Sequence, residues 1–226
     1  HEKMQETLTS VEESVRIAKE TEGTVVLKDH ADATTSGATG DSNAILRELL
    51  RVGYSGRALL PIVDPAAVQV AFRAGVGATI STTVGGALDP KRFRPLPIKA
   101  QVRRLSDGIF RNSDTGGGAY DSGKTAVLKV DSITLVVTSR AVALHNRALF
   151  FGHGQDPKTF DLVIVKSPHC EHHMYRAWCA RMLVADVPGA TSANLPTLGH
   201  TRCRRPISPL DEKVPFTPQA KIFRRG

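Results

Sequence analysis

Thr24-Val25-Val26-Leu27, followed by the polar stretch Lys28–Asp41, is the part of this 226-residue chain that decides the fold. Consecutive apolar and β-branched residues are typical of a strand that is buried on both faces of a sheet. The polar stretch contains no hydrophobic residue larger than alanine, and Ser42–Val52 then has leucine and isoleucine at helical spacing. A buried strand, a long polar loop and an amphipathic helix together predict the opening unit of an α/β domain.

The same alternation continues on both sides of this unit. Arg57–Val63 predicts a second strand, Ala66–Ala74 a second helix and Ala78–Val84 a third strand. Upstream, Leu8–Glu20 predicts an amphipathic helix with Ser10 as its N-cap. Strands that alternate with helices are typical of parallel βαβ units with right-handed crossovers.

The middle of the chain has a different pattern. Leu96–Leu105 alternates apolar and polar residues, and Thr125–Val130 and Thr134–Ser139 are two strands joined by a tight turn. Phe160–Val165 then predicts another buried strand, and Met174–Leu183 a helix. We therefore predict an α/β fold with a mixed sheet, in which parallel βαβ units are joined to an antiparallel section.

One domain of this kind is predicted over residues 1–212, with an irregular, proline-rich C-terminal part and a basic tail over residues 213–226. Hydrophobic residues make up 41% of the chain and charged residues 23%, so a sizeable core can form. The chain opens with His1 rather than Met, and we expect it to be the C-terminal part of a longer protein.

The composition excludes several classes of protein. No apolar run approaches the roughly 20 residues of a membrane span, and the N-terminal residues lack the apolar region of a signal peptide, so we expect a cytoplasmic protein without membrane contact. The three cysteines form no CxxC pair, which argues against a disulfide framework. The net charge is +8, but residues 201–226 alone contain seven basic and two acidic residues, and no aromatic residues interleave with the basic ones. We expect no nucleic-acid partner; the tail is instead a candidate contact in a homo-oligomer.

Ligands of open parallel sheets bind beyond the carboxyl ends of the strands, and three polar loops occupy such positions. These loops follow the strands that end near Leu27, Thr138 and Val165. Their candidate site residues are His30, Asp32, Ser36, Gly37 and Thr39 in the first loop, Ser139 and Arg140 in the second, and Lys166 and His169 in the third. We expect these residues to line one rim of the sheet.

The first loop combines an imidazole with carboxylates. His30 and Asp32 could bind a divalent metal or act as acid and base, and the alternative is a hydrogen-bonded structural histidine. Glycines such as Gly37 let the backbone approach a ligand, and free N–H groups at the start of the next helix would bind an anion or a carboxylate. The alternative at Asp41 and Ser42 is that they only cap this helix.

The other two loops offer weaker signals. His169, His172 and His173 are residues of the type that binds zinc, but the HExxH pattern is absent, and we assign no metal ligand to this chain. Cys170 beside His169 could serve as a nucleophile, although no recognisable pattern orients the pair. Arg140 could hold a carboxylate by a bidentate contact, with an exposed salt bridge as the alternative.

The loops also match a known family. His30-Ala-Asp32-Ala-Thr-Thr-Ser36-Gly37-Ala-Thr39-Gly-Asp41 resembles the His-x-Asp-Asn-x-x-Ser-Gly-Gly-Thr-x-Asp pattern near the start of the C-terminal domain of the MlrC (microcystinase) family. Further blocks match in the same order, and the resemblance covers about residues 8–212. These blocks are Ile62–Pro65, Ala74–Ala78, Gly85-Gly86, Pro95–Pro97, Thr138–Arg140, Val165–His169, Asp186–Gly189, Arg204–Pro206 and Pro209–Asp211.

The resemblance implies one part of a zinc-dependent peptide or amide hydrolase. In that family the N-terminal domain holds the zinc, so this domain would precede residue 1 and be the partner of the present chain, which alone would be inactive. His30 and Asp32 are then the candidate catalytic residues, and Arg140 and Lys166 would hold a substrate carboxylate or the oxyanion. The remaining substrate-binding candidates are Ser36, Gly37, Thr39, Ser139 and His169.

Some positions depart from the family pattern. Ala33 replaces an asparagine and Ala38 replaces a glycine in the first loop, which points to a changed substrate specificity. Cys170-Glu171-His172 stands where relatives often have His-Phe-Arg. A rival interpretation of the whole chain is a small-molecule or peptide-binding module without catalytic turnover.

Overall fold

The computed structural model describes residues 7–111, 117–168, 172–211, 214–215 and 219–223, without the side chains of residues 172 and 173. The chain divides into two compact units, His1–Ala193 and Asn194–Gly226. The second unit contains a short 3-10 helix, Leu195–Leu198, among turns and irregular segments. Among the described residues, every helix is too short or too polar to cross a lipid bilayer.

The first unit is built from a large sheet with helices. Its helices are α1 (Val11–Glu20), α2 (Ala44–Arg51), α3 (Pro65–Ala74), α4 (Arg147–Gly152) and α5 (His172–Tyr175). Its strands are β1 (Leu8–Ser10), β2 (Val25–Lys28), β3 (Ala58–Val63), β4 (Thr79–Val84), β5 (Leu96–Ser106), β6 (Ile109–Arg111), β7 (Ala119–Asp121), β8 (Thr125–Val130), β9 (Ile133–Thr138), β10 (Leu162–Val165) and β11 (Arg181–Asp186).

Nine of these strands form one mixed sheet, in the order β1-β11-β2-β10-β3-β9-β8-β5-β4. The first six strands in this order, from β1 to β9, pair with one another in parallel. The pairs β9–β8, β8–β5 and β5–β4 are antiparallel. Strands β6 and β7 form a separate two-stranded sheet. The predicted α/β fold, with a parallel part joined to an antiparallel part, is confirmed.

The central strands are apolar throughout because both of their faces are covered. In β2, Val25 and Leu27 pack into one hydrophobic cluster and Val26 into the other, since successive side chains of a strand point to opposite faces. The six residues of β3 and the six of β9 are likewise all buried. This burial fixes the register of the central strands and with it the positions of the loops that follow them.

Three predicted elements differ from the structure. Residues Leu8–Ser10 of the helix predicted over Leu8–Glu20 form strand β1, and the helix begins at Val11 after its N-cap Ser10. The helix predicted over Met174–Leu183 is wrong, because helix α5 ends at Tyr175 and Arg181–Leu183 already belong to β11, which pairs with β2. Strand β4 was expected to continue the parallel units, but it pairs antiparallel with the first half of β5 at one edge of the sheet. From Gln101 onward β5 pairs with β8, with a bulge between Val102 and Arg104, so that β5 connects β4 to the rest of the sheet.

Candidate functional site

The predicted site loops follow adjacent parallel strands. Because β2, β10, β3 and β9 are neighbours in the sheet and run in the same direction, their carboxyl ends lie at one rim. The structure brings the loop after β2 into direct contact with Lys166, which follows β10. Ser139 and Arg140, which follow β9, lie at the same rim but are separated from β10 by β3.

Lys166 is the centre of a buried polar network at this rim. Its Nζ lies 2.8 Å from Oδ2 of Asp32 and 3.3 Å from Oδ2 of Asp29, and it donates a hydrogen bond of 3.0 Å to the carbonyl oxygen of Ser42. The three charged side chains are each 1% exposed. An ammonium group this deep in a protein is stable only when its charge and its donors are matched, and here each donor has an acceptor.

An anionic ligand was predicted to bind at the start of helix α2, but the carboxylate of Asp32 occupies that position. Its Oδ1 accepts a hydrogen bond from the backbone N–H of Gly40 at 2.9 Å, and its Oδ2 accepts one from that of Ser42 at 2.6 Å. These N–H groups are therefore not free to bind a substrate. The expectation that the loop presents free N–H groups before α2 is wrong for Gly40 and Ser42.

The charges of this network depend on one another. Burial disfavours the ammonium group, but the adjacent carboxylates of Asp32 and Asp29 outweigh it and raise the pKa of Lys166 above its ordinary value. Burial also raises the pKa of Asp29, since its loss of hydration exceeds the effect of Lys166 nearby. Lys166 therefore stays charged at neutral pH and is shared between two carboxylates, of which Asp32 is the nearer.

Two further buried aspartates fasten neighbouring loops to the same rim. Asp41 does not cap helix α2; its Oδ2 accepts hydrogen bonds from the backbone N–H groups of Leu88 and Asp89. Asp64 caps α3 through the N–H of Ala67 and also accepts a hydrogen bond of 2.8 Å from the N–H of Gly85. Sequence reasoning did not assign Asp64 a role at the rim, although an aspartate directly before Pro65 is a recognisable helix start.

Thr191, which the sequence did not single out, contacts the first loop from another side. Its hydroxyl donates to the carbonyl oxygen of His30 at 2.8 Å and accepts from the N–H of Ala33 at 3.2 Å. Its own N–H donates to the carbonyl oxygen of Ala31 at 2.9 Å. The segment after β11 thus lies against the backbone of residues 30–33, and His30 is buried, with 4% of its surface exposed.

The tip of the first loop faces solvent. Ser36 and Gly37 are exposed and Thr39 is partly exposed. A short 3-10 helix, Thr34–Ser36, ends at Gly37, whose φ of 95° favours glycine. Thr39 donates to Oδ1 of Asp41 at 2.5 Å, so that the side of the loop leading to α2 is tied down while its tip is accessible.

Arg140 is exposed and paired. It forms a salt bridge with Asp121 of the β6–β7 hairpin, and its side chain is 65% exposed. The hydroxyl of Thr138 donates to the carbonyl oxygen of Arg140, and Ser139 is half-buried against Gly123. The structure therefore shows the exposed salt bridge that the sequence left open as an alternative, and a substrate carboxylate would have to compete with Asp121.

The loops of this chain contain side chains of the types that bind metal ions. Among the described residues, no group of three His, Cys, Asp or Glu side chains is placed to hold a metal ion. The carboxylates of Asp29 and Asp32 do not fit a metal, because an ammonium group and backbone N–H groups already fill their coordination. The candidates His169 and Cys170, with the side chains of His172 and His173, lie outside what the structure describes.

Comparison with known proteins gives a consistent result. Residues 27–202 match the family model described as the MlrC C-terminus. Microcystinase C of Sphingomonas sp is 29% identical over 143 residues, which is 63% of this chain and 28% of that protein. A crystal structure from Mesorhizobium sp. BNC1, provisionally assigned as a metallopeptidase, superimposes with a TM-score of 0.83 and 30% identity, over 96% of this chain and 43% of that one. The chain therefore spans less than half the length of either relative.

Proposed function

This chain belongs to the family of MlrC C-terminal domains, and from that premise we propose that it is the substrate-facing part of a zinc-dependent peptide or amide hydrolase. An N-terminal domain of the same parent protein would hold the zinc ion and complete the site. The relatives support this division, since each is much longer than the region that matches. The zinc would lower the pKa of a bound water and polarise the substrate carbonyl.

The observation that carries the proposal is a rim at which the loop after β2 contacts Lys166 after β10 and, through the hydroxyl of Thr34, the carbonyl oxygen of Val142 after β9. The Lys166 network fixes the first loop so that Ser36 and Gly37 protrude from it. A loop that is rigid at its base and exposed at its tip can meet a second domain or a bound peptide in a defined geometry.

The residues of the rim divide into two groups. Asp32 and Lys166 are buried and saturated with hydrogen bonds, which favours a role in holding the loop over direct contact with substrate. His30 belongs to the same loop, and we propose that its imidazole faces the reacting amide as an acid or base in the assembled protein. Arg140 would bind the carboxylate of a linear peptide by exchanging Asp121 for it.

The proposal is tested by comparing this chain with its full-length parent. Both proteins are assayed for hydrolysis of linear peptides and for bound zinc by elemental analysis. We expect about one zinc per parent molecule together with hydrolysis, and neither in the isolated chain. Zinc held in full stoichiometry by the isolated chain would overturn the division into two parts. A parent that binds peptides without hydrolysing them would support the rival interpretation of a binding module.

A further inference from the structure

We infer that Thr191 is a positioning residue for His30. This inference rests on the proposed function, because it matters for catalysis only if His30 acts in the cleft. Thr191 is far from the first loop in sequence, yet three of its hydrogen bonds go to residues 30–33. It therefore contacts the one stretch of backbone that carries the candidate imidazole.

The contacts of Thr191 complement those of Lys166. Lys166 holds the loop through the side chains of Asp29 and Asp32, whereas Thr191 holds the backbone between them. The backbone carbonyl of His30 accepts from the hydroxyl of Thr191, so the orientation of that peptide group is fixed from outside the loop. With both ends of the turn restrained, the direction in which the His30 side chain leaves the backbone is set.

The segment that carries Thr191 packs directly against the backbone of the first loop. A Cβ atom placed on Gly189 would lie 2.1 Å from the carbonyl oxygen of Ala31, which is far inside van der Waals contact. Only glycine permits this approach, and the segment cannot rest here with a side chain at position 189. Gly189 thus permits the close approach of this segment to the loop, and Thr191 provides the hydrogen bonds between them.

The test measures how accessible and how basic the imidazole of His30 is, which requires no substrate. Diethyl pyrocarbonate acylates neutral imidazoles, and peptide mass spectrometry follows its rate at each histidine as a function of pH. Thr191→Val keeps the shape of the side chain but removes both hydroxyl hydrogen bonds. We expect it to speed modification of His30 by about tenfold and to shift the pH profile of that reaction.

Three controls make the outcome specific. Thr191→Ser retains the hydroxyl and should behave as wild type. Thr197→Val removes a hydroxyl that, among the described residues, donates to the nearby carbonyl oxygen of Asn194, and it should leave His30 unchanged. His153 is 1% exposed in the same unit, so faster modification of both histidines would indicate general unfolding. In that case Gly189→Ala, which displaces the segment without removing the hydroxyl, is measured in its place.

The inference is overturned if the Thr191→Val or the Gly189→Ala protein is folded and the reagent modifies its His30 at a rate within twofold of that in the wild type. It is also overturned if Thr191→Ser is as reactive as Thr191→Val. Because the labelling is independent of hydrolysis, such results count against Thr191 alone. Absence of peptide hydrolysis in the parent protein would count against the proposed function and leave the positioning of His30 unaffected.

Discussion

Nζ of Lys166 lies 2.8 Å from Oδ2 of Asp32, although the two residues are 134 positions apart in the chain and both are 1% exposed. The contact joins the end of β10 to the loop after β2, and it is made at the middle of the parallel sheet. A buried ion pair of this kind adds little net stability, but removal of one partner destabilises the protein strongly. The remaining charge is then buried without a partner and without water.

Replacing Lys166 by methionine should therefore destabilise the domain strongly. Lys166→Met leaves Asp29 and Asp32 facing each other, and we expect the free energy of unfolding to fall by roughly 3–5 kcal/mol. Urea denaturation measures the change. Lys129→Met is the matched control, because Lys129 is only partly buried and donates to the carbonyl oxygen of Ser132 at 2.9 Å and weakly to Oγ1 of Thr134 at 3.4 Å, so about 1 kcal/mol is expected there. Equal effects of the two substitutions would contradict the central role of Lys166.

The two aspartates of the network should respond unequally to amidation. Asp32 uses both carboxylate oxygens to accept backbone N–H groups, so the amide nitrogen of Asp32→Asn would face a donor. Asp29 accepts backbone N–H groups with Oδ1, and its Oδ2 has only the longer contact of 3.3 Å with Lys166. Burial also raises the pKa of Asp29, so a neutral side chain is tolerated better at this position. We expect Asp32→Asn to cost about 1–3 kcal/mol more than Asp29→Asn in thermal or urea unfolding. The reverse order would be inconsistent with this account.

The free energy of unfolding should fall at alkaline pH because of the ionisation of Tyr54. Burial, and secondly the charge of Asp161, raise the pKa of Tyr54 from 10.0 to about 12. The unfolded chain loses this proton first, so it binds fewer protons than the folded chain between these pH values, and the free energy of unfolding falls as pH rises. Near-ultraviolet difference spectra of the wild type against Tyr54→Phe isolate this side chain and should show that it ionises late. Tyr54→Phe should remove that late step and flatten the decline; persistence of the late step would assign it to another tyrosine.

The proposed role of Arg140 predicts a specific kinetic pattern in the parent protein. Arg140→Ala should raise KM about tenfold for a peptide with a free carboxyl terminus, because a charge-assisted hydrogen bond is lost. Asp121→Asn should instead lower KM a little, at most about fivefold, since the competing exposed ion pair is weak. A peptide with an amidated carboxyl terminus is the control substrate. Identical changes for both peptides would show that Arg140 does not bind the carboxylate.

The sequence predicted the parallel core because each central strand is a short apolar run that ends in a polar loop. The spacing from Thr24 to Asp41 placed a strand before the first loop and a helix after it, and both exist. The pattern also placed Lys166 at a strand end, but not its burial. A lysine is almost always exposed, and only the pairing of β2 with β10 shows that two carboxylates surround it.

Other features could not be read from the sequence because they depend on distant partners. Residues 181–183 have no strong strand pattern of their own, and they form a strand because β2 offers an edge beside them. Thr191 lies in a segment without regular structure, and a single threonine in such a segment carries no signal. Its role depends on hydrogen bonds to residues that are distant in the sequence, such as His30, which is 161 positions away.

The way in which the first loop is anchored bears on how this family diversifies. Asp29, Asp32 and Asp41 secure both ends of the loop with charge and hydrogen bonds, while Thr35, Ser36 and Gly37 between them stand in solvent. Mutations of Thr35 and Ser36 can therefore accumulate at little thermodynamic cost, whereas the φ of 95° at Gly37 favours glycine. Substitutions at these exposed positions would change the surface offered to a substrate, while the buried aspartates that anchor the loop stay the same.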